Sequence, residues 1–150
     1  MTKKIIGGAG FVGSCLCSDL QNHLILDKRL QGKNFCDITL PETLESTIAA
    51  EDVVVLLAAE HRDDVSPTSK YYETNVQGTQ NVLDEMDRVG CKHLIFTSSV
   101  AVFGLNKDNP DEQHPVDPFN HYGKSKWEAE KVIKAWFDKD PVGKCVTIIR

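Results

Sequence analysis

Short apolar segments alternate with longer mixed segments along all 150 residues of the chain. Runs rich in β-branched residues, such as Val53–Ala59, predict strands that are buried on both faces of a sheet. The pattern predicts six strands, at Ile5-Ile6, Leu24–Asp27, Asn34–Thr39, Val53–Ala59, His93–Ser98 and Cys145–Ile149. Helices are predicted between them over about 11–22, 41–50, 72–89 and 120–138, and Gly90 ends the third.

This alternation of strands and helices predicts an α/β fold with an open, doubly wound parallel sheet. The carboxyl ends of parallel strands meet at one edge of such a sheet, and ligands bind at that edge. The length predicts one domain, residues 1–150.

The loop after the first strand carries Gly7, Gly10 and Gly13 at G-x-x-G-x-x-G spacing. Glycine allows a close backbone approach that a Cβ would forbid. The N-terminus of the following helix offers free N–H groups and a positive dipole end, which together suit a pyrophosphate. A strand, a glycine turn and a helix are the context for dinucleotide binding, although glycine turns also occur as plain chain reversals.

Asp27 ends the second predicted strand, about 20 residues after Gly7. A dinucleotide fold places at this position the carboxylate that binds the adenosine ribose hydroxyls. Because an acid here repels a 2′-phosphate, NAD is favoured over NADP. Lys28 and Arg29 follow directly and could bind such a phosphate, so NADP stays an alternative.

Tyr122 and Lys126 stand four residues apart, so both side chains project from one face of the last predicted helix. An ammonium close to a phenol favours the phenolate, and an oxidised nicotinamide adds a second positive charge. Ser98 and Ser99 end the preceding strand and could donate a hydrogen bond to the same substrate oxygen. The Tyr-x-x-x-Lys spacing is common by chance, but together with the Ser-Ser strand end and the glycine loop it is far more specific.

Composition narrows the class of partner. The net charge of −5 argues against a nucleic-acid partner, which needs a basic face. No apolar run approaches the roughly 20 residues of a membrane span, so we expect a cytoplasmic protein without a membrane contact. The cysteines and histidines are scattered without metal-ligand spacing, so we expect no metal site and buried, reduced thiols.

Seven stretches, taken together, resemble the extended short-chain dehydrogenase/reductases. The resemblance is to their NAD-dependent nucleotide-sugar epimerase/dehydratase group, which is typified by UDP-galactose 4-epimerase. The stretches run in order through the chain: Gly7–Ser14, Asp27, Cys36–Ile38, Leu56–Ala59, Asn75–Leu83, Phe96–Gly104 and Tyr122–Lys126. The resemblance implies a Rossmann-like fold, a nucleotide-sugar substrate, and hydride transfer at a sugar carbon with a tyrosine as general acid/base.

The resemblance also implies a role for each matching residue. Three residues would be catalytic: Ser99 at the family's Ser/Thr position, Tyr122 as acid/base, and Lys126, which binds the nicotinamide ribose and favours the phenolate. Asp27 would hold the adenosine ribose. The other residues implied in cofactor binding are Gly7, Gly10, Phe11, Val12 and Gly13 at the pyrophosphate, Asp37 and Ile38 beside the adenine, and Leu57, Ala58, Ala59, Asn75 and Thr97 along the cofactor path.

The chain departs from the family pattern at three points. Ile6 stands where the family usually has threonine, and Val100-Ala101 replace the Asp-Glu pair that follows the catalytic residue in dehydratases. Epimerase or reductase chemistry is therefore expected instead of dehydration. The chain also has about half the family's length, so we expect the cofactor portion of a longer enzyme, without the substrate domain and inactive by itself.

Two further expectations complete the interpretation. The helices near 72–89 and 120–138 resemble those that form the family's dimer, so a homodimer is expected. The alternative function is a non-catalytic NAD(P)-binding module used for regulation or sensing. The combination of Ser99, Tyr122 and Lys126 favours the enzyme, because a sensor does not need all three.

Overall fold

The computed structural model describes all residues of the chain, Met1–Arg150. Its strands form one parallel sheet. The strands are β1 (Lys3–Ile6), β2 (His23–Leu26), β3 (Val53–Leu56), β4 (His93–Thr97) and β5 (Cys145–Ile149). The helices are α1 (Phe11–Asp19), α2 (Ser69–Tyr72), α3 (Gly78–Val89) and α4 (His121–Asp138). A π-helical segment, Glu73–Gln77, joins α2 to α3, and single 3₁₀ turns lie at Gly32–Asn34, Pro41–Thr43 and Val100–Phe103.

The strand order is β2-β1-β3-β4-β5, and every neighbouring pair is parallel. The order places β2 on one side of β1 and the later strands on the other side. Right-handed crossovers therefore put α1 on one face of the sheet and α3 with α4 on the opposite face. This arrangement confirms the predicted doubly wound, Rossmann-like α/β fold.

The main core lies between the sheet and the layer formed by α3 and α4. Apolar side chains from both layers pack there, among them Ile6, Leu56, Phe96, Val82, Met86, Ile133 and Trp136. The helix α3 ends where Gly90 takes a left-handed conformation, with φ of 77°. This stop is the one that the sequence predicts, because glycine enters that region without a Cβ penalty.

The predicted strand at Asn34–Thr39 is wrong, and the sheet has five strands instead of six. Only Phe35 pairs with Asp27, in a single parallel bridge beside β2. The Asp37 carboxylate accepts hydrogen bonds from the N–H and hydroxyl of Thr39, at 3.0 and 2.8 Å. The Thr43 hydroxyl donates to the Asp37 carbonyl at 2.8 Å. These local bonds turn the chain away from the sheet ladder.

The predicted helix over 41–50 is also wrong, since only Pro41–Thr43 forms a 3₁₀ turn there. The Thr47 hydroxyl donates to the Leu44 carbonyl at 2.6 Å, and Ser46 has a left-handed φ of 63°. Side-chain bonds of this kind compete with helical backbone bonds. The first helix is likewise shorter than predicted, because it ends at Asp19 and Asn22 has a φ of 53°.

Three findings bear on location and chemistry. None of the helices combines the length and apolarity that a bilayer crossing requires. All five cysteines are free, but only Cys36 and Cys91 are buried, so the expectation of buried thiols fails for the other three. Burial raises the pKa of the Cys36 thiol to about 12, which makes it unreactive.

Candidate active site

A cavity of about 790 Å³ opens at the carboxyl edge of the sheet, between the strand ends and the start of α4. Its walls contain every predicted site residue except Asn75 and Ser99. The predicted residues that line it are Gly7, Gly10, Phe11, Val12, Gly13, Asp27, Asp37, Ile38, Leu57, Ala58, Ala59, Thr97, Tyr122 and Lys126. Residues that lie far apart in the sequence therefore share one site.

The glycine loop fits closely against the end of β3 and the start of α1. A Cβ on Gly7, whose φ is 86°, would lie 2.4 Å from the backbone nitrogen of Ala58. A Cβ on Gly13 would lie 2.4 Å from the carbonyl oxygen of Gly8. Gly10, which precedes α1, provides no side-chain cap, so the first N–H groups of the helix have no side-chain acceptor. The loop is thus a backbone cradle of the kind that a pyrophosphate needs.

Asp27 lies at the end of β2 and faces the glycine loop. Its carboxylate accepts hydrogen bonds from the Ala9 N–H at 3.1 Å and from the Arg29 N–H at 2.9 Å. The Arg29 guanidinium contacts both carboxylate oxygens, at 3.1 and 3.2 Å. Burial by itself would raise the pKa of Asp27, but these bonds and the charge of Arg29 outweigh it and hold the pKa below its usual value. Asp27 is therefore an ionised hydrogen-bond acceptor in the cavity wall beside the glycine loop.

The neighbouring wall around Ile38 is held by the start of α3. The Asn81 side chain donates to the Ile38 carbonyl at 2.8 Å. A Cβ on Gly78 would lie 2.7 Å from the Ile38 side chain, so the glycine lets the helix approach. The Asp37 carboxylate in the same wall is bonded to Thr39. Contacts with α3 therefore position this part of the wall, although the segment with Asp37 and Ile38 is not a strand of the sheet.

Asn75 lies outside the cavity wall and acts as a buried connector. Its amide exchanges two hydrogen bonds with the Glu60 backbone, at 2.8 and 2.9 Å, just after β3. It also donates to the Ser125 hydroxyl at 2.8 Å, and Ser125 donates to the Tyr122 carbonyl at 2.8 Å. The π-helical segment carries Asn75, as π-bulges at functional sites often carry a key residue. Asn75 thereby connects the cavity floor to the helix that bears Tyr122.

The start of α4 is fitted against the turn that follows Ser99. The Asn120 side chain caps the helix by accepting the Gly123 N–H at 2.8 Å. A Cβ on Gly123 would lie 2.5 Å from the Ala101 carbonyl oxygen, so glycine permits the contact. Ser99 is not part of the cavity wall, and its hydroxyl oxygen accepts the Ala101 N–H at 3.1 Å. Its O–H group keeps its donor capacity, because accepting a bond does not use the proton.

Lys126 is buried at the inner end of the cavity, with only 2% of its surface exposed. Its Nζ lies 4.1 Å from the centre of the Phe96 ring, at the distance of a cation–π contact. Burial lowers the pKa of Lys126 to about 7, and the negative charge of Glu130 opposes that fall. A lysine with such a pKa in a cleft beside a tyrosine suits acid–base chemistry.

The sequence analysis missed several residues of the site. Glu60, Arg62 and Thr74 line the cavity, and outside its wall the buried Glu130 forms an ion pair with the partly buried Arg150. Two features of the sequence could have indicated the ion pair. Glu130 is an acid four residues after Lys126 on the same predicted helix, and Arg150 is a single charge at the end of an apolar strand. Among the described residues, no group of three or more His, Cys, Asp or Glu could hold a metal ion.

Comparisons with known proteins show the family of this chain. Residues 4–150 match the NAD dependent epimerase/dehydratase family. An N-acetyl-alpha-D-glucosaminyl-diphospho-ditrans,octacis-undecaprenol 4-epimerase of Escherichia coli O157:H7 is 54% identical, over 97% of this chain and 46% of its own length. A UDP-glucose 4-epimerase of Lactobacillus helveticus is 34% identical, over 93% of this chain and 48% of its own length.

A solved structure shows the same fold. The UDP-glucose 4-epimerase of Thermus thermophilus, in complex with NAD, superposes on 100% of this chain and 54% of its own, with a TM-score of 0.86 and 24% identity. The chain spans about half the length of the curated relatives it matches.

Proposed function

The chain belongs to the NAD-dependent epimerase/dehydratase family, and we propose that it is the cofactor-binding and acid–base portion of a sugar 4-epimerase. The observation that carries this proposal is the cavity that joins the glycine cradle and Asp27 to Tyr122 and Lys126. The family is NAD-dependent, in agreement with the cofactor expected from Asp27. The chain's own residues fit that cofactor, because Gly7 and Gly13 permit the close backbone packing of the loop, and the first N–H groups of α1 have no side-chain acceptor.

Each residue then has a defined task. The N–H groups at the start of α1 bind the pyrophosphate, and Asp27 accepts hydrogen bonds from the adenosine ribose. When bound, NAD supplies reversible hydride transfer at a sugar carbon. Tyr122 takes the proton of the sugar hydroxyl and later returns it, and Lys126 binds the nicotinamide ribose and favours the phenolate. Ser99 donates a hydrogen bond to the reacting oxygen.

We propose a sugar 1-diphosphate as the substrate class. The sequence points to a nucleotide sugar, and the relative with 34% identity is named for UDP-glucose. The relative with 54% identity is named for N-acetylglucosamine joined through a diphosphate to undecaprenol. We place the polyprenyl diphosphate sugar first because of that higher identity.

Turnover assays with two alternative substrates test this choice. They use the protein encoded by the whole reading frame that contains this chain. We expect 4-epimerisation of polyprenyl diphospho-N-acetylglucosamine, detected by mass spectrometry and sugar analysis after hydrolysis. Turnover of UDP-N-acetylglucosamine alone would favour the nucleotide-sugar candidate. Turnover of neither substrate would contradict the substrate class.

Tyr122→Phe tests the catalytic assignment in the same protein. Because the variant lacks the phenolic oxygen that accepts and returns the proton of the sugar hydroxyl, kcat should fall about 10²- to 10⁴-fold while NAD affinity is unchanged. The control is Tyr72→Phe, which loses only a 3.1 Å hydrogen bond to His121. If turnover survives Tyr122→Phe, the acid/base role is wrong; NAD binding without any turnover in the parent protein would favour the sensor module.

We also propose that the outer face of α3 and α4 forms a homodimer contact. A shallow depression of about 340 Å³ lies on this face and is lined by Gln80, Glu128, Lys131, Val132, Ala135, Trp136 and Lys139. The substitution Ala135→Glu places a charge in it and should convert the dimer to a monomer in sedimentation velocity. A parent protein that is already monomeric would contradict the proposal.

A further inference from the structure

The last residue of the chain forms a two-pronged ion pair with a buried acid on α4. Arg150 Nε lies 3.1 Å from Glu130 Oε1, and Arg150 Nη2 lies 2.6 Å from Glu130 Oε2. Only 4% of the surface of Glu130 is exposed, and the Arg150 side chain is 18% exposed. A fork of this kind is the strongest geometry for a guanidinium and a carboxylate.

Three other segments, together with Trp127 of α4 itself, meet at this pair. The Ser98 hydroxyl, just after β4, donates to Glu130 Oε1. The Arg150 guanidinium lies 5.2 Å from the centre of the Phe103 ring and 5.9 Å from that of the Trp127 ring. It also donates to the Glu112 carbonyl at 3.4 Å, in the loop before α4. The pair is therefore located where the segments that carry Ser99, Tyr122 and Lys126 converge.

Lys126 precedes Glu130 by one helical turn and shares its buried face of α4. The oxygens of Glu130 bond to Ser98 and Arg150, and Lys126 forms no ion pair of its own. Burial lowers the pKa of Lys126, and the negative charge of Glu130 raises it. The other charged or titratable groups that line the same cavity as Lys126 are Tyr122 on its own helix and, on the remaining walls, Asp27, Lys28, Arg29, Cys36, Asp37, Glu60, His61 and Arg62.

We propose that Glu130 and Arg150 are positioning residues for Lys126, through which the protein sets how much of that lysine is charged. The Glu130 carboxylate stabilises the buried ammonium through its charge. Arg150 neutralises part of the same carboxylate and so limits that stabilisation. Glu130 thus raises the charged fraction of Lys126, and Arg150 lowers it. If the pair served packing alone, substitution of either residue would change that fraction in the same direction.

The effect of this pair on catalysis rests on the proposed function, because it requires that a charged Lys126 favours the Tyr122 phenolate. The charge of Lys126 itself can be measured without turnover. Competitive acetylation with acetic anhydride, followed by mass spectrometry, reports the fraction of neutral amine at each pH. Lys124, exposed two residues away on the same helix, is the internal reference.

The test compares two single variants of the full-length protein. Glu130→Gln removes the stabilising charge, so labelling of Lys126 well below its midpoint of about 7, where most of the amine is protonated, should rise about 3- to 10-fold, since one pH unit in the midpoint is tenfold in neutral amine there. Arg150→Gln leaves the carboxylate more negative, so labelling should fall about threefold. The control Asp138→Asn removes an exposed acid of the same helix, paired with Lys134, and should change nothing.

Opposite changes in the two variants support the proposal, and changes of the same sign, or none, overturn it. If Glu130→Gln does not fold, as judged by circular dichroism, Arg150→Gln decides alone: a fall supports the proposal and no fall overturns it. The pH profile of kcat should move with the labelling midpoint. If labelling changes as expected but the parent protein converts neither sugar substrate, the proposed function is refuted and this inference stands.

Discussion

The helices α1 and α4 both begin at the same cavity, yet they contribute to it in different ways. The nine residues of α1 bury only Gly13, and its first residue, Phe11, is 87% exposed. The eighteen residues of α4 have a side-chain cap and bury Lys126, Glu130 and Trp136 along one face. One helix therefore acts through its backbone, and the other acts through its side chains.

The two helices are accordingly held by different forces. Two close backbone approaches at Gly7 and Gly13 position α1, and they require only that no Cβ is present. Polar bonds from distant segments position α4: Asn75 donates to Ser125, and Trp136 donates to Asp87 at 2.8 Å. A backbone site tolerates side-chain change but not added volume, whereas a side-chain site depends on each of its partners.

The largest effect is expected from added volume at α1. Gly13→Ala introduces a Cβ at 2.4 Å from the Gly8 carbonyl oxygen, which neither backbone can avoid. The free energy of unfolding should fall by about 3 kcal/mol, measured by urea denaturation, and NAD binding should be lost. Ser18→Ala, at an exposed position of the same helix, is the control and should change stability by less than about 0.5 kcal/mol. Equal stability of the two variants would contradict the backbone-cradle description.

The next effect concerns the support of α4. Asn75→Ala leaves the Glu60 backbone groups and the Ser125 hydroxyl without their partner. Because unsatisfied buried groups are costly, the free energy of unfolding should fall by about 2 kcal/mol, measured by thermal and urea denaturation. The control Gln77→Ala lies in the same π-helical segment at an exposed position. A loss no larger than that of the control would show that Asn75 is not a connector.

A smaller effect is expected at Asp27. Asp27→Asn should weaken NAD binding roughly tenfold in calorimetry, because a charged acceptor of the ribose becomes neutral. The lowered pKa of Asp27 also predicts a pH effect: the carboxylate stabilises the folded protein above its unfolded pKa of about 3.9. That contribution disappears as the pH falls through the lowered folded pKa, so the two proteins should converge in stability in acid. A constant difference at all pH values would contradict the pKa assignment.

The smallest effect concerns the alternative cofactor. Arg29 covers Asp27 and borders the same cavity, so it is the residue placed to contact a 2′-phosphate. Arg29→Ala should lower NADP affinity about threefold, a modest loss because the side chain is exposed, and leave NAD affinity unchanged. Lys33→Ala, an exposed charge in the following 3₁₀ turn, is the control. An equal change for both cofactors would remove Arg29 from the choice between them.

Local signals were sufficient for most of the fold. The apolar runs predicted all five strands within one to three residues at each end, and Gly90 marked the end of α3. Apart from the early end of α1, the failures fall in 34–50, where Asp37, Thr39, Thr43 and Thr47 bond to nearby backbone or to one another. Hydrophobic periodicity does not register such bonds, because they depend on polar side chains and the angles they impose.

The sequence by itself determined the doubly wound sheet, the glycine loop before α1 and the placement of Tyr122 and Lys126 one turn apart on one helix. Each of these depends on neighbours within a few residues, or on the rule that parallel strand ends meet at one edge. Only the tertiary structure decided that Asn75 joins Glu60 to Ser125, and that Arg150 meets Glu130 behind Lys126. These contacts join residues that are 15 to 50 positions apart, and burial makes them strong by excluding water, which no local pattern records.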